Sequence, residues 1–99
     1  MAAERKSILL RLHAKPGKEG EVAQFLRDAL PLAQDEPETV RWYALQLDDS
    51  TFGVFDTFAD DAGRQAHVDG AIADALRERW QDLLSRPPEV TLVDLLAVK

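Results

Sequence analysis

What most constrains this chain is a repeated switch in hydrophobic period. Ser7 to Lys15, SILLRLHAK, alternates: Ile8, Leu10, Leu12 and Ala14 point one way, while Leu9, Arg11, His13 and Lys15 point the other. A period of two marks a strand. After the turn residues Pro16 to Lys18 the period lengthens, and Val22, Phe25, Leu26, Ala29 and Leu30 fall on one helical stripe. Pro31 and Pro37 are expected to end that helix, leaving QDEPET as a loop. Strand character returns in Val40 to Leu47, VRWYALQL, and again in Thr51 to Phe58, TFGVFDTF; the short DDS between them predicts a hairpin. Asp60 suits the N-cap of a second helix. Asp69 and Gly70 break or re-cap it, after which Ile72, Leu76, Trp80, Leu83 and Leu84 form a further stripe. Pro87 and Pro88 end the helical region, and Glu89 to Val98, EVTLVDLLAV, reads as a last strand.

The resulting order, β-α-β-β-α-β, predicts an α+β fold: a ferredoxin-like sandwich with a four-stranded antiparallel sheet and its helices on one face, forming one domain over residues 1–99. Water should then meet the other sheet face, yet that face carries Leu9, either Trp42 or Tyr43 with Leu45 and Leu47, and a fourth strand apolar on both sides apart from Thr91 and Asp94. So much apolar surface on a small protein is expected to be covered. The expectation is a homodimer packed through the open sheet face, sheet on sheet.

Charge narrows the partners. The net charge of −6 argues against nucleic acid and against an anionic membrane, both of which need clustered Lys and Arg. With no cysteine, disulfides, thiol catalysis and thiolate metal sites are excluded. No stretch approaches the ~20 apolar residues of a membrane span, and MAAERKSILLRLHAKPG lacks a signal-peptide cleavage pattern, so the expected location is cytoplasmic. HExxH, GxGxxG, a Walker loop and a nucleophile elbow are all missing. His13 and His67, even with Asp56, make too sparse a set for a metal site, and none is expected.

The residues that could carry chemistry are few. His67 follows Asp60 by seven positions, in the first turns of a helix. It is either a half-buried side chain bonded to a backbone carbonyl, or an acid, base or hydrogen-bond donor at a pocket, a task its ordinary pKa suits. Trp42, Phe25, Phe55, Phe58 and Trp80 could line an aromatic pocket or simply fill the core. Asp56 is out of place in an apolar strand; it either pairs across the sheet with Arg11 or His13, or orients a ligand. Arg64 reads as a solvated helix residue.

The segments KPGKEGEVAQFL, EPETVRWYAL, TFGVFDTFADDAGRQAH and PPEVTLVDLLAVK resemble the antibiotic biosynthesis monooxygenase family of dimeric α/β-barrel proteins. The resemblance covers almost the whole chain and is most specific from Phe52 to His67. It implies a dimer whose two sheets form a barrel, with a ligand between helices and sheet in each protomer. It also implies oxidation of polycyclic aromatic or quinol substrates by dioxygen without metal, flavin or haem as cofactor. His67 matches the family's helix histidine and is the candidate catalytic residue; Trp42, Phe58, Phe25 and Asp56 are the candidate substrate-binding residues. The chain departs from the family pattern in having no asparagine, and Phe58 stands where many relatives have tryptophan. The Asn, Trp and His set of the haem-degrading branch is therefore absent. The alternative is a non-catalytic dimeric domain that binds a small aromatic molecule or serves only in assembly.

Overall fold

The structure, a computed structural model, describes residues 3–99. Its elements are β1 (Lys6–His13), α1 (Glu19–Gln34), β2 (Thr39–Gln46), β3 (Thr51–Phe58), α2 (Asp61–Val68), α3 (Ala71–Leu83) and β4 (Glu89–Asp94). The strands form one antiparallel sheet in the order β2-β3-β1-β4. This is the ferredoxin-like α+β arrangement that the alternating periods imply.

The register sorts the side chains into rows across the sheet. On the helix-covered face, Trp42, Asp56, Ile8 and Leu92 form one row, and Ala44, Val54, Leu10 and Val90 the next. On the open face the rows are Tyr43, Phe55, Leu9 and Thr91, then Leu45, Gly53, Arg11 and Glu89. Trp42 therefore lies under the helices and Tyr43 on the open face, because successive residues of a strand point to opposite sides. The main core joins Leu12, Phe52 and Val54 of the sheet to Val22 and Leu26 of α1 and to Leu83 and Leu84 at the end of α3. A second cluster, Ala29, Ala33 and Ile72, holds α1 against α3, with Trp42 packed on both clusters.

Three expectations are corrected. Helix α1 does not stop before Pro31 but runs through it to Gln34. Proline removes one backbone donor and crowds the preceding turn. The stripe nevertheless continues: Ala29 and Ala33 are both buried, and their packing outweighs the lost bond. β4 ends at Asp94, not Val98, because among the described residues its only partner strand is β1, which begins at Lys6, directly opposite Asp94. Arg64 is not solvated. Its guanidinium donates to the carbonyls of Ser7 and Val93, each at 3.3 Å, and pairs with Asp61 at 3.0 Å.

The hairpin is fastened where DDS predicted it: Asp48 Oδ1 accepts from the backbone N–H groups of Ser50 (3.0 Å) and Thr51 (2.7 Å). Gly53, in the middle of β3, permits a close approach of β1, since a Cβ there would lie 2.7 Å from the Leu10 carbonyl oxygen. Neither strand can withdraw without losing its ladder. Gly53→Ala is expected to destabilise the protein by about 1–3 kcal/mol, the usual cost of overpacking, read as a lowered urea midpoint.

Candidate functional site

The row Trp42–Asp56–Ile8–Leu92 and the helix above it make the site. Asp60 sets that helix: its Oδ1 accepts from the Gly63 N–H at 2.8 Å, which caps the start of α2. Two turns on, α2 brings His67 over the sheet, its ring centroid 5.4 Å from that of the fully buried Phe58. The His67 side chain is 10% exposed and lies between two carboxylates. Nδ1 meets Glu36 Oε1 at 2.7 Å, and Nε2 lies 3.0 Å from Asp56 Oδ2. The second contact is an ion pair with a carboxylate buried in the core, the residue Asp56 being 1% exposed. Glu36 also accepts from Thr39 Oγ1 at 2.8 Å.

Burial opposes charge on the imidazole, but Asp56 and then Glu36 outweigh it and raise the His67 pKa to about 9. At neutral pH the ring is an imidazolium with both N–H groups turned toward protein carboxylates. In this arrangement it cannot act as a general base, and it has no ring nitrogen free for a metal. Its positive charge is matched within the protein by Asp56 and Glu36. Among the described residues no group of three or more His, Asp or Glu side chains is arranged to hold a metal ion.

His67 also borders a cavity of about 280 Å³ between the helices and the sheet. Its floor is Ile8, Leu10 and Val90, and its walls are Val68, Ile72, Leu76 and Trp80, with Arg77 and Pro88 beside them. The cavity exists because the helices leave the edge strand bare: Val90 and Leu92 are 59% and 61% exposed although both lie on the helix side.

The candidate residues are placed unequally. Trp42, Asp56, Phe58 and His67 come together, with Asp56 and Trp42 directly opposite each other in the β2–β3 pairing. Phe25 does not join them; it packs on the main core with the Arg79 guanidinium 5.8 Å from its ring centre, on the side of α1 that meets α3. Asp56 pairs with neither Arg11 nor His13, since strand alternation puts those two on the opposite face. His13 instead contacts Glu89 and Arg86. Phe58 and Trp42 lie behind the cavity rather than in its wall, and Trp80 is the aromatic residue that lines it. Glu36 was not legible beforehand: it stands in an apparently ordinary acidic loop, 31 residues from His67.

Comparison with known proteins gives the same fold. No family model matches the chain, and no curated protein matches it. Among solved structures, the NE2512 protein of unknown function from Nitrosomonas europaea is 53% identical, with 97% of this chain and 93% of that one covered and a TM-score of 0.95. The chain belongs to the family of that protein. A candidate antibiotic biosynthesis monooxygenase from Nitrosomonas europaea superposes with a TM-score of 0.82 at 18% identity, covering 93% of this chain and 99% of that chain. An antibiotic biosynthesis monooxygenase structure gives 0.79 at 17% identity, with 93% and 99% covered. At these identities the likeness is one of fold: the chain has the antibiotic biosynthesis monooxygenase fold. No helix among the described residues is long and apolar enough to cross a membrane.

The His67 pairing has a pH signature. A histidine whose folded pKa lies above its unfolded 6.5 stabilises the fold fully below about pH 6.5 and loses that contribution as pH rises through about 9. Urea midpoints of the wild type, less those of His67→Gln, are expected to be largest at pH 6 and to shrink toward pH 10. A difference that is flat or grows with pH would rule out the charged pairing.

Proposed function

We propose that this protein is a cofactor-independent oxygenase that takes a phenol or quinol into the cavity beside His67 and oxidises it with dioxygen. One observation carries the reading: an apolar cavity with a single buried cation in its wall. Apolar walls take an aromatic ring, and the His67 imidazolium, held between Asp56 and Glu36, is the buried polar group at the wall that a phenolic oxygen would meet. A phenolate is electron-rich enough to reduce dioxygen itself. An anthrone-type CH₂ then becomes C=O: two C–H bonds break, one oxygen atom enters the carbonyl, the other leaves as water, and the substrate supplies all four electrons. At about 280 Å³ the cavity is at the small end for ligand sites. It favours one or two fused rings over the larger polycyclic substrates that the family resemblance suggests, unless the ligand extends along the bare edge of β4.

One observation favours the second reading, a binding domain without catalysis. Both His67 ring nitrogens face protein carboxylates, which leaves none for direct proton exchange with a substrate. Oxygen uptake decides between the two. With a panel of quinols and anthrones, the wild type is expected to consume dioxygen without added metal or flavin, and His67→Gln to do so about 10²-fold more slowly, the scale of a single acid–base or charge contribution. Binding of the same compounds with no uptake by the wild type would select the binding domain.

We also propose that two copies pack through the open face. Leu9, Phe55 and Tyr43 lie in adjoining register there, and Tyr43 is 48% exposed. Apolar surface of this kind calls for a partner. Sedimentation at micromolar concentration is expected to give twice the chain mass, and Leu9→Asp to shift the protein to monomer through an unpaired charge buried in the interface. A monomeric wild type would sink the proposal.

A further inference from the structure

The cavity beside His67 differs in charge from the rest of the molecule. The chain carries 18 Asp and Glu against 12 Lys and Arg. Yet among the described residues the ionisable ones that line this cavity are His67 and Arg77, both basic, with no carboxylate beside them in the lining. The contrast is local. On the other side of His67 a second cavity, of about 450 Å³, is lined by Asp35, Glu36 and Glu38. The two cavities share His67 and have opposite signs around it. A cleft lined by one sign of charge favours a ligand of the other sign.

The two cations are not equally available. His67 is held by Asp56 and Glu36, which match its charge inside the protein. Arg77 stands at the solvent end of the cavity, its side chain 57% exposed. Its guanidinium donates to the Val68 carbonyl at 2.9 Å and to Asp74 Oδ1 at 2.9 Å. The first contact fixes the charged head at the end of α2, against a residue that itself lines the cavity. The second is an i,i+3 surface pair whose carboxylate is 64% exposed, a kind of pairing that contributes little and gives way readily. Together they leave part of the guanidinium's planar fork of donors free, and that fork matches a carboxylate. We infer that the cavity's ligand is an aromatic acid, selected by Arg77, which binds its carboxylate at the mouth. The inference rests on the reading of the cavity as a site for a small phenol or quinol. It narrows that class to ring systems that carry a carboxylate remote from the hydroxyl. The ring then lies between Leu76 and Trp80 of α3 and the floor of Leu10 and Val90, with its hydroxyl toward His67 and its carboxylate on Arg77.

The test uses 6-hydroxy-2-naphthoate and 6-hydroxy-2-naphthamide, which share the ring and the hydroxyl and differ in the charge of one group. Binding is read in ¹⁵N-labelled protein from the indole N–H resonance of Trp80 in the cavity wall, assigned by its loss in Trp80→Phe. Both compounds are expected to move that resonance. The wild type is expected to bind the acid about 10-fold or more tightly than the amide, the scale of a hydrogen bond to a charged group. Arg77→Gln is expected to remove the preference by weakening the acid while leaving the amide within a few-fold. Asp74→Asn, which frees the guanidinium from its own carboxylate, is expected to tighten the acid several-fold and leave the amide unchanged. A merely structural role for Arg77 would move both compounds alike. If Arg77→Gln does not fold, the wild-type preference and the Asp74→Asn comparison still decide. Equal affinities in the wild type, or a preference that Arg77→Gln leaves intact, would overturn selection by Arg77 while the cavity reading stands. If neither compound moves the Trp80 resonance, the cavity reading fails and this inference with it.

Discussion

One buried cation organises this protein's interior. His67 stands between Asp56 on β3 and Glu36 on the loop before β2, so a single imidazolium ties α2 to the sheet and to the end of α1. Removing three ionisable groups from water is expensive, and such a group rarely adds net stability over a well-packed apolar alternative. It does require one arrangement. With the cation absent, the Asp56 carboxylate would sit in the core with no compensating charge. The position of α2 is therefore set by charge as much as by packing, and the cavity wall is set with it.

The sheet's two faces have different tasks. Its helix-covered face has a filled half, around Leu12, Phe52 and Val54, and an unfilled half toward β4, where α3 fails to cover Val90 and Leu92. The unfilled half is the cavity. Among the described residues no helix covers the open face, and its central row is aromatic and aliphatic where a monomer would place polar residues. A chain of 99 residues has few side chains with which to cover two sheet faces. Leaving one face to a second copy and part of the other to a ligand is a physically consistent use of that shortage.

Much of the fold was legible because periodicity survives in the one-dimensional record. β3 spans Thr51–Phe58 as alternation indicated, and the Asp60 cap and the break at Gly70 are where their chemistry puts them. The misreadings share one cause. Pro31 disfavours helix locally, and only the burial of Ala33 against its neighbours reverses that. Leu95 to Val98 continue an apolar run, but a strand needs a partner, and β1 has ended. Phe25 has the residue type expected of a pocket, but helical phase turns it toward Arg79.

The sequence by itself determined the element order, the antiparallel sheet with its apolar second face, the absence of thiol chemistry and the placement of His67 two turns into a capped helix. These depend on local propensity, alternation and composition, which act between residues close in the chain. Only the tertiary structure decided which strand-two aromatic lies under the helices, that Asp56 and Glu36 both close on His67, and that the cavity opens beside β4. Each depends on the distance between residues tens of positions apart. That distance is fixed by register and by helix placement on the sheet, which no local pattern records.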